Sequence, residues 1–585
     1  MTASMEPHCL SFREIPQTTK LFSSFLEDFS RVAKYYSHPP NIAGIVAAAK
    51  EVQIDQQVRA GVVAVLREQN LEFSGSSALD SAIARNLDRL ANGAVAIVTG
   101  QQVGLFTGPA YSLYKAITAA ACADELTRQG VDAVPVFWLA TEDHDLAEIN
   151  HSSWITRTGL AEFTLPGTPA EEGHRVGEIA LGTAITSSVV TAMDTLEGPY
   201  AAEIARALRE SYSPGETYGS AFGKLMARLV AGRGIIFFDP LESRLHHFAA
   251  GIYRRALDAA EPLREALLVR SKELERGGFH AQVKVTREST LLFYNVGGVR
   301  HPLRQRNGNF HAGSASFSLQ ELHERIAASP EAFTPNVLLR PVVQDTLLPT
   351  AAYIGGPAEV AYMAQAQVVY TKLLGRMPAI LPRASFTVVE PPVARLLKKY
   401  SLDFRDVMRG RQHLRRKMEM KSLPRALVAR FAADEKALRR LLQAYRKPLV
   451  RLDRTLTGAL DSAERKMLYQ LLKLKGKAGR AENFRSGVLD RHERILIDAL
   501  YPHRGLQERT LSALPPLAAY GPELLEELAI LSVAADPALD SKSLAKSVSK
   551  SASKSGRAAG PVAGAADPAA DATAPCSHQH HVLFM

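Results

Sequence analysis

From Ala94 onward the chain reads as short apolar runs separated by helical patterns. AVAIVTG (94–100) is a buried-type strand ending in glycine; a Gly-rich loop then leads into a helical stretch over about 110–128. AVPVFWLA (133–140) is a second such strand, running into the acidic TEDHD. Strand, loop, helix, strand in one short stretch is the βαβ signature and predicts a parallel sheet. Further strands are predicted at 234–240, 290–298, 337–343 and 378–390, with helices over 200–212, 219–231 and 245–275. Residues 94–390 are therefore expected to form one α/β core with insertions, of which 155–190 reads as β-rich. Upstream, 1–93 looks mainly helical, with Leu21, Phe25, Phe29 and Val32 at helical spacing before Pro39–Pro40 interrupts.

Beyond Val393 the strands stop. Leu427, Phe431, Leu438, Leu441, Tyr445, Leu449, Leu452 and Leu456 recur mostly by three and four, as do Met467, Leu471, Leu474, Ala478, Ala481, Val488 and Ile495. The pattern predicts two long antiparallel helices with a coiled-coil seam, interrupted in the second by Arg485 and His492. Residues 391–510 are thus a helical domain. A two-helix hairpin has little core of its own, so it is expected to pack on the α/β unit or on a second copy, as a homodimer. Residues 511–535 read as a helical return. The stretch 536–576 has almost no large apolar side chains and reads as a disordered linker. The end, 577–585, is apolar enough in VLFM to dock as a terminal strand. His578, His580 and His581 there could bind metal, but a flexible histidine cluster without carboxylate or thiol partners is usually adventitious.

Composition narrows the class. With 46% apolar and 22% charged residues this is ordinary globular chemistry. No apolar run is long enough to span a membrane, and the N-terminus lacks the pattern of a secretion signal. Three cysteines, Cys9, Cys122 and Cys576, with no CxxC, exclude a disulfide framework and a cysteine-rich zinc site, so a reducing cytoplasmic setting is expected. Net charge is +10, and residues 391–510 hold 30 Lys and Arg against 13 Asp and Glu. A basic helical face is more often solvated surface than a nucleic-acid site, and aromatic residues are scarce there. The alternative, a nucleotidyltransferase-like protein binding nucleic acid through this hairpin, rests on that charge alone.

Four constellations could carry chemistry. In TGQQVGLFTGPAYSLYK (99–115), Gly100, Gly104 and Gly108 follow a strand and precede a helix, which favours an anion at exposed backbone N–H groups. Gln101 and Gln102 add amides and Lys115 a charge; the simpler reading is a tight strand-to-helix turn. In TEDHDLAEIN (141–150), Glu142, Asp143, His144 and Asp145 offer carboxylates for an ammonium group or Mg²⁺ and an imidazole for proton transfer, or else Asp caps the next helix. Both loops leave the carboxyl ends of strands and should share one crevice. In LRPVVQDTLLPTAAYIGGPAEVAYMAQ (339–365), Arg340, Gln344, Asp345 and Tyr353 stand in apolar surroundings, and Gly355, Gly356 and Glu359 open a helix. In MPAILPRASFT (377–387), Arg383 and Ser385 could hold phosphate or cap local structure. None of these matches a dinucleotide or Walker motif.

Together these segments resemble the cysteine-adding ligase family of bacillithiol synthesis, over nearly the whole chain to about residue 535. The resemblance implies a Rossmann-like core similar to nucleotidyltransferases, with inserted connecting segments, plus a coiled-coil dimerisation domain. It implies that cysteine is joined to the amine of glucosaminyl malate, the last step toward this low-molecular-weight thiol. By that analogy the loop 104–108 stands where such enzymes carry HIGH, and PRAS (382–385) near their KMSKS loop; neither signature is literally present. Amide formation needs an activated carboxyl, so ATP with Mg²⁺ is expected. Gly104, Gly108 and Lys115 would cradle phosphate, with Arg383 and Ser385 closing over it. Glu142, Asp143 and Asp145 would hold the cysteine ammonium or the metal. His144 would be the base, and Arg340, Gln344 or the basic hairpin would receive the malate carboxylates.

Overall fold

The computed structural model describes residues 8–168, 171–421, 423, 425–533 and 579–585. Two compact units emerge, one of Cys9–Phe386 with Glu508–His581, the other of Thr387–Gln507 with the chain ends. At the centre of the first are five strands: β1 (Val95–Gln101), β2 (Ala133–Leu139), β3 (Ile236–Phe238), β4 (Thr350–Gly355) and β5 (Ala379–Pro382). They pair in the order β5-β4-β1-β2-β3, every pair parallel. Burial of every residue in β2 and β4 explains why these strands read as continuous rather than alternating runs. Helix α1 (Tyr111–Arg128) crosses from β1 to β2, and its Ala119, Cys122, Ala123 and Leu126 pack with Ile97 of β1 and Ile354 of β4. Small side chains on that face let the helix lie close to the sheet. The chain steps from β1 out to β2 and β3, then returns to place β4 on the other edge of β1. That reversal opens a crevice at the strands' carboxyl ends between β1 and β4.

Two insertions interrupt the core. Between β2 and β3 comes a hairpin of His151–Thr156 and Gly159–Thr164, followed by helices that include Ala184–Met193. The 155–190 segment is therefore β-rich only in its first third. Between β3 and β4 lies a five-stranded antiparallel sheet in the order Ala315–Phe317, Asn309–Ala312, Val299–Arg306, Ser289–Val296, Phe333–Pro335. The strand expected at 290–298 exists, but in this sheet. The helix expected over 245–275 is two, α2 (Ser243–Asp258) and Ala260–Arg276, separated at Ala259.

The expected strand at 337–343 is overturned. Asn336 Oδ1 accepts from the backbone N–H groups of Leu338 and Leu339 at 3.0 and 3.1 Å, and Asn336 O accepts from Arg340 N at 2.8 Å. This turn starts helix α3 (Arg340–Leu347), whose Pro341 sits in the first turn, where its missing N–H costs nothing. The real strand is the next segment, β4, which leads through Gly356 into helix α4 (Pro357–Leu373). Likewise 378–390 is β5 followed by a separate strand, Ser385–Val389.

In the first unit His580 is fully buried, with Nδ1 2.7 Å from the Ser385 hydroxyl, and the His581 ring stacks on Phe386 at 5.4 Å. These histidines are packed core side chains; His578 and the 536–576 segment lie outside the described residues.

The second unit is mostly helical. Arg425–Leu452 and Leu456–Ser486 form its long hairpin, tied by Arg439 to Glu464 at 3.0 Å and by Arg446 to Asp461. Phe431, Leu442 and Leu460 are buried, but Leu441, Tyr445, Leu452, Met467 and Leu474 of the expected seam are exposed. One partner helix covers a single stripe, so the remaining apolar positions face outward. His492 is no interruption: it lies in the next helix, Val488–Leu500, with Nδ1 2.7 Å from the Tyr400 hydroxyl. The side chain of Arg485 lies outside the described residues. No described helix is long and apolar enough to cross a membrane.

Candidate active site

The crevice between β1 and β4 holds a cleft of about 930 Å³. The ends of β1, β2 and β4 supply Gly100, Gln101, Trp138 and Tyr353 to its floor, and the antiparallel insertion supplies a wall with Lys284, Arg300 and Arg304. Arg340, in the first turn of α3, lies 5.9 Å from the Trp138 ring and 5.5 Å from that of Tyr353. It donates to Gln344 Oε1 at 3.0 Å and to the hydroxyls of Tyr353 and Tyr362, both at 3.3 Å. Burial alone would lower its pKa, but the phenols and nearby Glu359 raise it and keep the guanidinium charged.

Beside it, Lys115 of α1 is buried in an ion pair with Glu359 of α4. Lys115 also donates to Gly100 O at 2.7 Å and Gln101 Oε1 at 2.8 Å, while Glu359 accepts from the Tyr353 hydroxyl at 2.6 Å and Gly356 N at 2.7 Å. Burial pulls the Lys115 pKa down against the pull of Glu359. All three ammonium donors are thus taken within the protein, which corrects the expectation that Lys115 reaches a phosphate.

The acidic loop after β2 forms the opposite corner. Gln102 Nε2 donates to Asp143 Oδ2 at 2.8 Å and Glu148 Oε2 at 2.7 Å, joining the glycine loop to the acidic one. Burial would raise the Asp143 pKa, but hydrogen bonds from His144 and Gln102 bring it down to about 2, so it is a fixed anion. Glu142 is its opposite: buried and little compensated by Arg300 and Arg175, its carboxyl is pushed up to about 7. His144 Nδ1 lies 3.1 Å from Arg300 Nη1. The same Nδ1 lies 3.5 Å from Asp143 Oδ1, so this ring nitrogen stands between a guanidinium that can only donate and a carboxylate that can only accept. His144 thus belongs to the anionic corner, beside Asp143 and Arg300.

Several other candidates do not reach the cleft. Asp145 caps the short helix Leu146–Ile149, accepting from Glu148 N at 3.2 Å. Gly104 and Gly108 close a buried turn whose Phe106 ring packs 5.1 Å from Tyr212. Gly108 has φ +64°, and a Cβ on Gly104 would come within 3.0 Å of Gly108 Cα, so the glycines serve the turn rather than a phosphate. Gln344 and Asp345 are buried against each other at 2.9 Å, and Gly355 lies within β4. Ser385 donates to Glu508 at 2.7 Å away from the cleft, whereas Arg383, paired with the same Glu508, still borders it.

The pattern described as "Bacillithiol biosynthesis BshC, N-terminal Rossmann-like domain" matches residues 5–384, and its "C-terminal coiled-coil domain" matches 386–536. The chain belongs to the BshC family. A relative from Koribacter versatilis, named "Putative cysteine ligase BshC", is 41% identical over 90% of this chain and 97% of its own. Relatives of the same name from Solibacter usitatus and Salinibacter ruber are 37% and 33% identical, over 88% and 87% of this chain and 96% and 93% of theirs.

In this BshC chain the residues that sequence reasoning missed include Trp138, Glu148, Arg300, Arg304, Tyr362 and Arg509, all bordering the cleft. Arg300 and Arg304 are four apart on one strand and so share a face, a period-two signal that was present in VRHPLRQR. Trp138 is the penultimate residue of β2, where a floor residue must stand. Arg509 follows the helical domain in sequence, and nothing local points it at the cleft. Among the described residues no three His, Cys, Asp or Glu side chains converge as a metal site.

Proposed function

We propose that this chain is the cysteine ligase of bacillithiol synthesis, forming the amide between the cysteine carboxyl and the glucosamine amine of glucosaminyl malate. The observation that carries the reading is the division of charge within one cleft. Lys284, Arg300, Arg304, Arg340, Arg383 and Arg509 set six cations along its border, which suits a dicarboxylate and a phosphorylated cosubstrate. Asp143 and Glu148, joined through Gln102, form an anionic corner that suits an amino-acid ammonium. Arg340, which stays charged on an aromatic floor, would meet a substrate carboxylate in this reading.

ATP would supply the leaving group that a carboxylate lacks. The donor set fits a nucleotide in outline only: Arg383 and Arg509 border the cleft, while the glycine turn does not. Mg²⁺ would then arrive on the nucleotide's phosphates, completed by water, since no protein cage gathers for it among the described residues. We further propose a cytoplasmic homodimer, built through the outward apolar positions of the long hairpin.

The test is direct. Purified protein is incubated with cysteine, glucosaminyl malate and Mg·ATP, and thiols and nucleotides are followed by mass spectrometry. Cysteinyl product with stoichiometric AMP or ADP supports the reading, and the nucleotide formed names the intermediate. Absence of the product from folded protein, together with unchanged thiols in a host lacking the gene, would overturn it.

A further inference from the structure

Beneath the cleft floor, Glu142 Oε1 and His246 Nε2 face each other at 3.6 Å, and both atoms are buried without a hydrogen-bond partner. Native proteins rarely leave such a pair unsatisfied, and one that borders a ligand cleft calls for a functional account. His246 lies on α2, and the hydroxyl of Tyr253, two turns further along, stands 3.1 Å from His246 Nδ1. The three groups thus form a file that runs from the protein interior to the cleft. Glu142 is the one member that borders the cleft.

We propose that Glu142 is the proton acceptor for the attacking amine, and that His246, oriented by Tyr253, is the positioning residue behind it. The assignment rests on the amide-ligase reading and names the base within it. In this assignment the Tyr253 phenol donates to His246 Nδ1, which leaves the ring proton on Nε2, facing Glu142 Oε1 at 3.6 Å. The imidazole then steadies the carboxylate from behind while the other oxygen serves the cleft. One proton moves from the ammonium nitrogen to Glu142, leaving a lone pair on nitrogen. The nitrogen–carbon bond forms, and the bond from that carbon to the phosphoryl oxygen breaks, the oxygen keeping the electron pair. The second amine proton leaves to water.

The surroundings agree. Burial pushes the Glu142 carboxyl up to about 7, where a general base is most effective near neutrality. Burial pulls His246 down to about 4, so the ring is neutral and can hold the required tautomer. Burial and the Glu142 charge push the Tyr253 phenol up, so it keeps the proton it donates. The charged and titratable groups facing the pair are Arg300, Arg175, Asp239 and Arg340 around Glu142, and Arg175 and His247 around His246, whose ring the Pro240 carbonyl also approaches. The other described carboxylates of the cleft are engaged elsewhere, Glu148 accepting from Gln102 at 2.7 Å. Asp143 is held as an anion, and Glu359 is paired with Lys115.

The experiment compares full-length His246→Leu, His246→Gln and Tyr253→Phe with the unaltered protein, reading the pH profile of kcat/KM for amide formation. Loss of the donor destabilises the Glu142 carboxylate, so His246→Leu moves the acid limb upward by about one pH unit. His246→Gln, which keeps a donor, returns it toward the original value, and Tyr253→Phe moves it less, in the same direction. An acid limb unmoved in all three variants overturns the proposal. Infrared titration of the protonated-carboxyl band, with Glu142→Gln as the blank, gives a readout without turnover. A band that vanishes near neutral pH and shifts upward in Tyr253→Phe supports the file even if His246→Leu fails to fold. A band titrating in the ordinary carboxylate range overturns it. Should the unaltered protein form no amide while the band behaves as expected, the ligase reading fails and the file of proton-holding groups stands.

Discussion

Arg383 Nη2 donates to Glu508 Oε1 at 2.7 Å, and both side chains are almost wholly buried. Glu508 also accepts from the Ser385 hydroxyl at 2.7 Å and from Phe386 N at 2.9 Å, so one carboxylate secures the end of β5 and the strand after it. Removing one partner of such a pair leaves a charge buried and uncompensated. Glu508→Ala is expected to lower stability by about 3–5 kcal/mol. Denaturant unfolding followed by circular dichroism checks this.

The same carboxylate makes stability depend on pH. Burial would raise the pKa of Glu508, but Arg383 and its hydrogen bonds hold it below the ordinary value. Its contribution is therefore complete above the unfolded pKa of about 4.3 and is lost as pH falls through the lower folded value. The stability gap between the unaltered protein and Glu508→Gln should be constant near neutrality and shrink under acid. A gap that widens under acid contradicts this sign.

Lys115→Met should act on folding. Because Lys115 neutralises Glu359 and donates to Gly100 and Gln101, its loss is expected to cost about 3–5 kcal/mol. A variant that melts normally but shows a tenfold higher KM for ATP would return Lys115 to the phosphate-binding role.

Lys284→Glu with Arg304→Glu reverses two charges on the cleft wall. Steady-state kinetics should give a rise of about tenfold in KM for the dicarboxylate substrate and a smaller change in kcat, as loss of uniform binding requires. The rise should weaken at higher salt.

Leu441→Glu with Leu474→Glu places charges on the outward apolar face of the long hairpin. Sedimentation should show a shift from dimer to monomer with helix content preserved. A dimer that survives both substitutions places the interface elsewhere.

Much of this was legible in the sequence. β1, β2 and β3 are continuous apolar runs, so the parallel core and the crevice at its carboxyl ends could be read from them, and the three-four spacing after Val393 marks the helical domain. What failed did so for physical reasons. An Asn turn followed by proline made 339–347 helical despite its apolar run, and propensity alone does not see that turn. The glycine loop promised a phosphate cradle because glycine is needed equally for a tight turn: Gly108 takes a left-handed φ there, and Gly104 allows the close approach of the two backbones. His246 and Tyr253 were invisible as chemistry because one buried face of a helix looks the same whether or not it carries a polar pair.

The cleft has two makers. Its floor belongs to the parallel sheet, while much of its basic wall stands on the antiparallel sheet spliced between β3 and β4. Substitutions on the wall need not disturb the hydrogen bonds that fix the floor, because the two sheets share no strand. Selection can therefore retune which anion enters while the proton-handling residues stay where they are, as a lock may be rekeyed without moving the bolt.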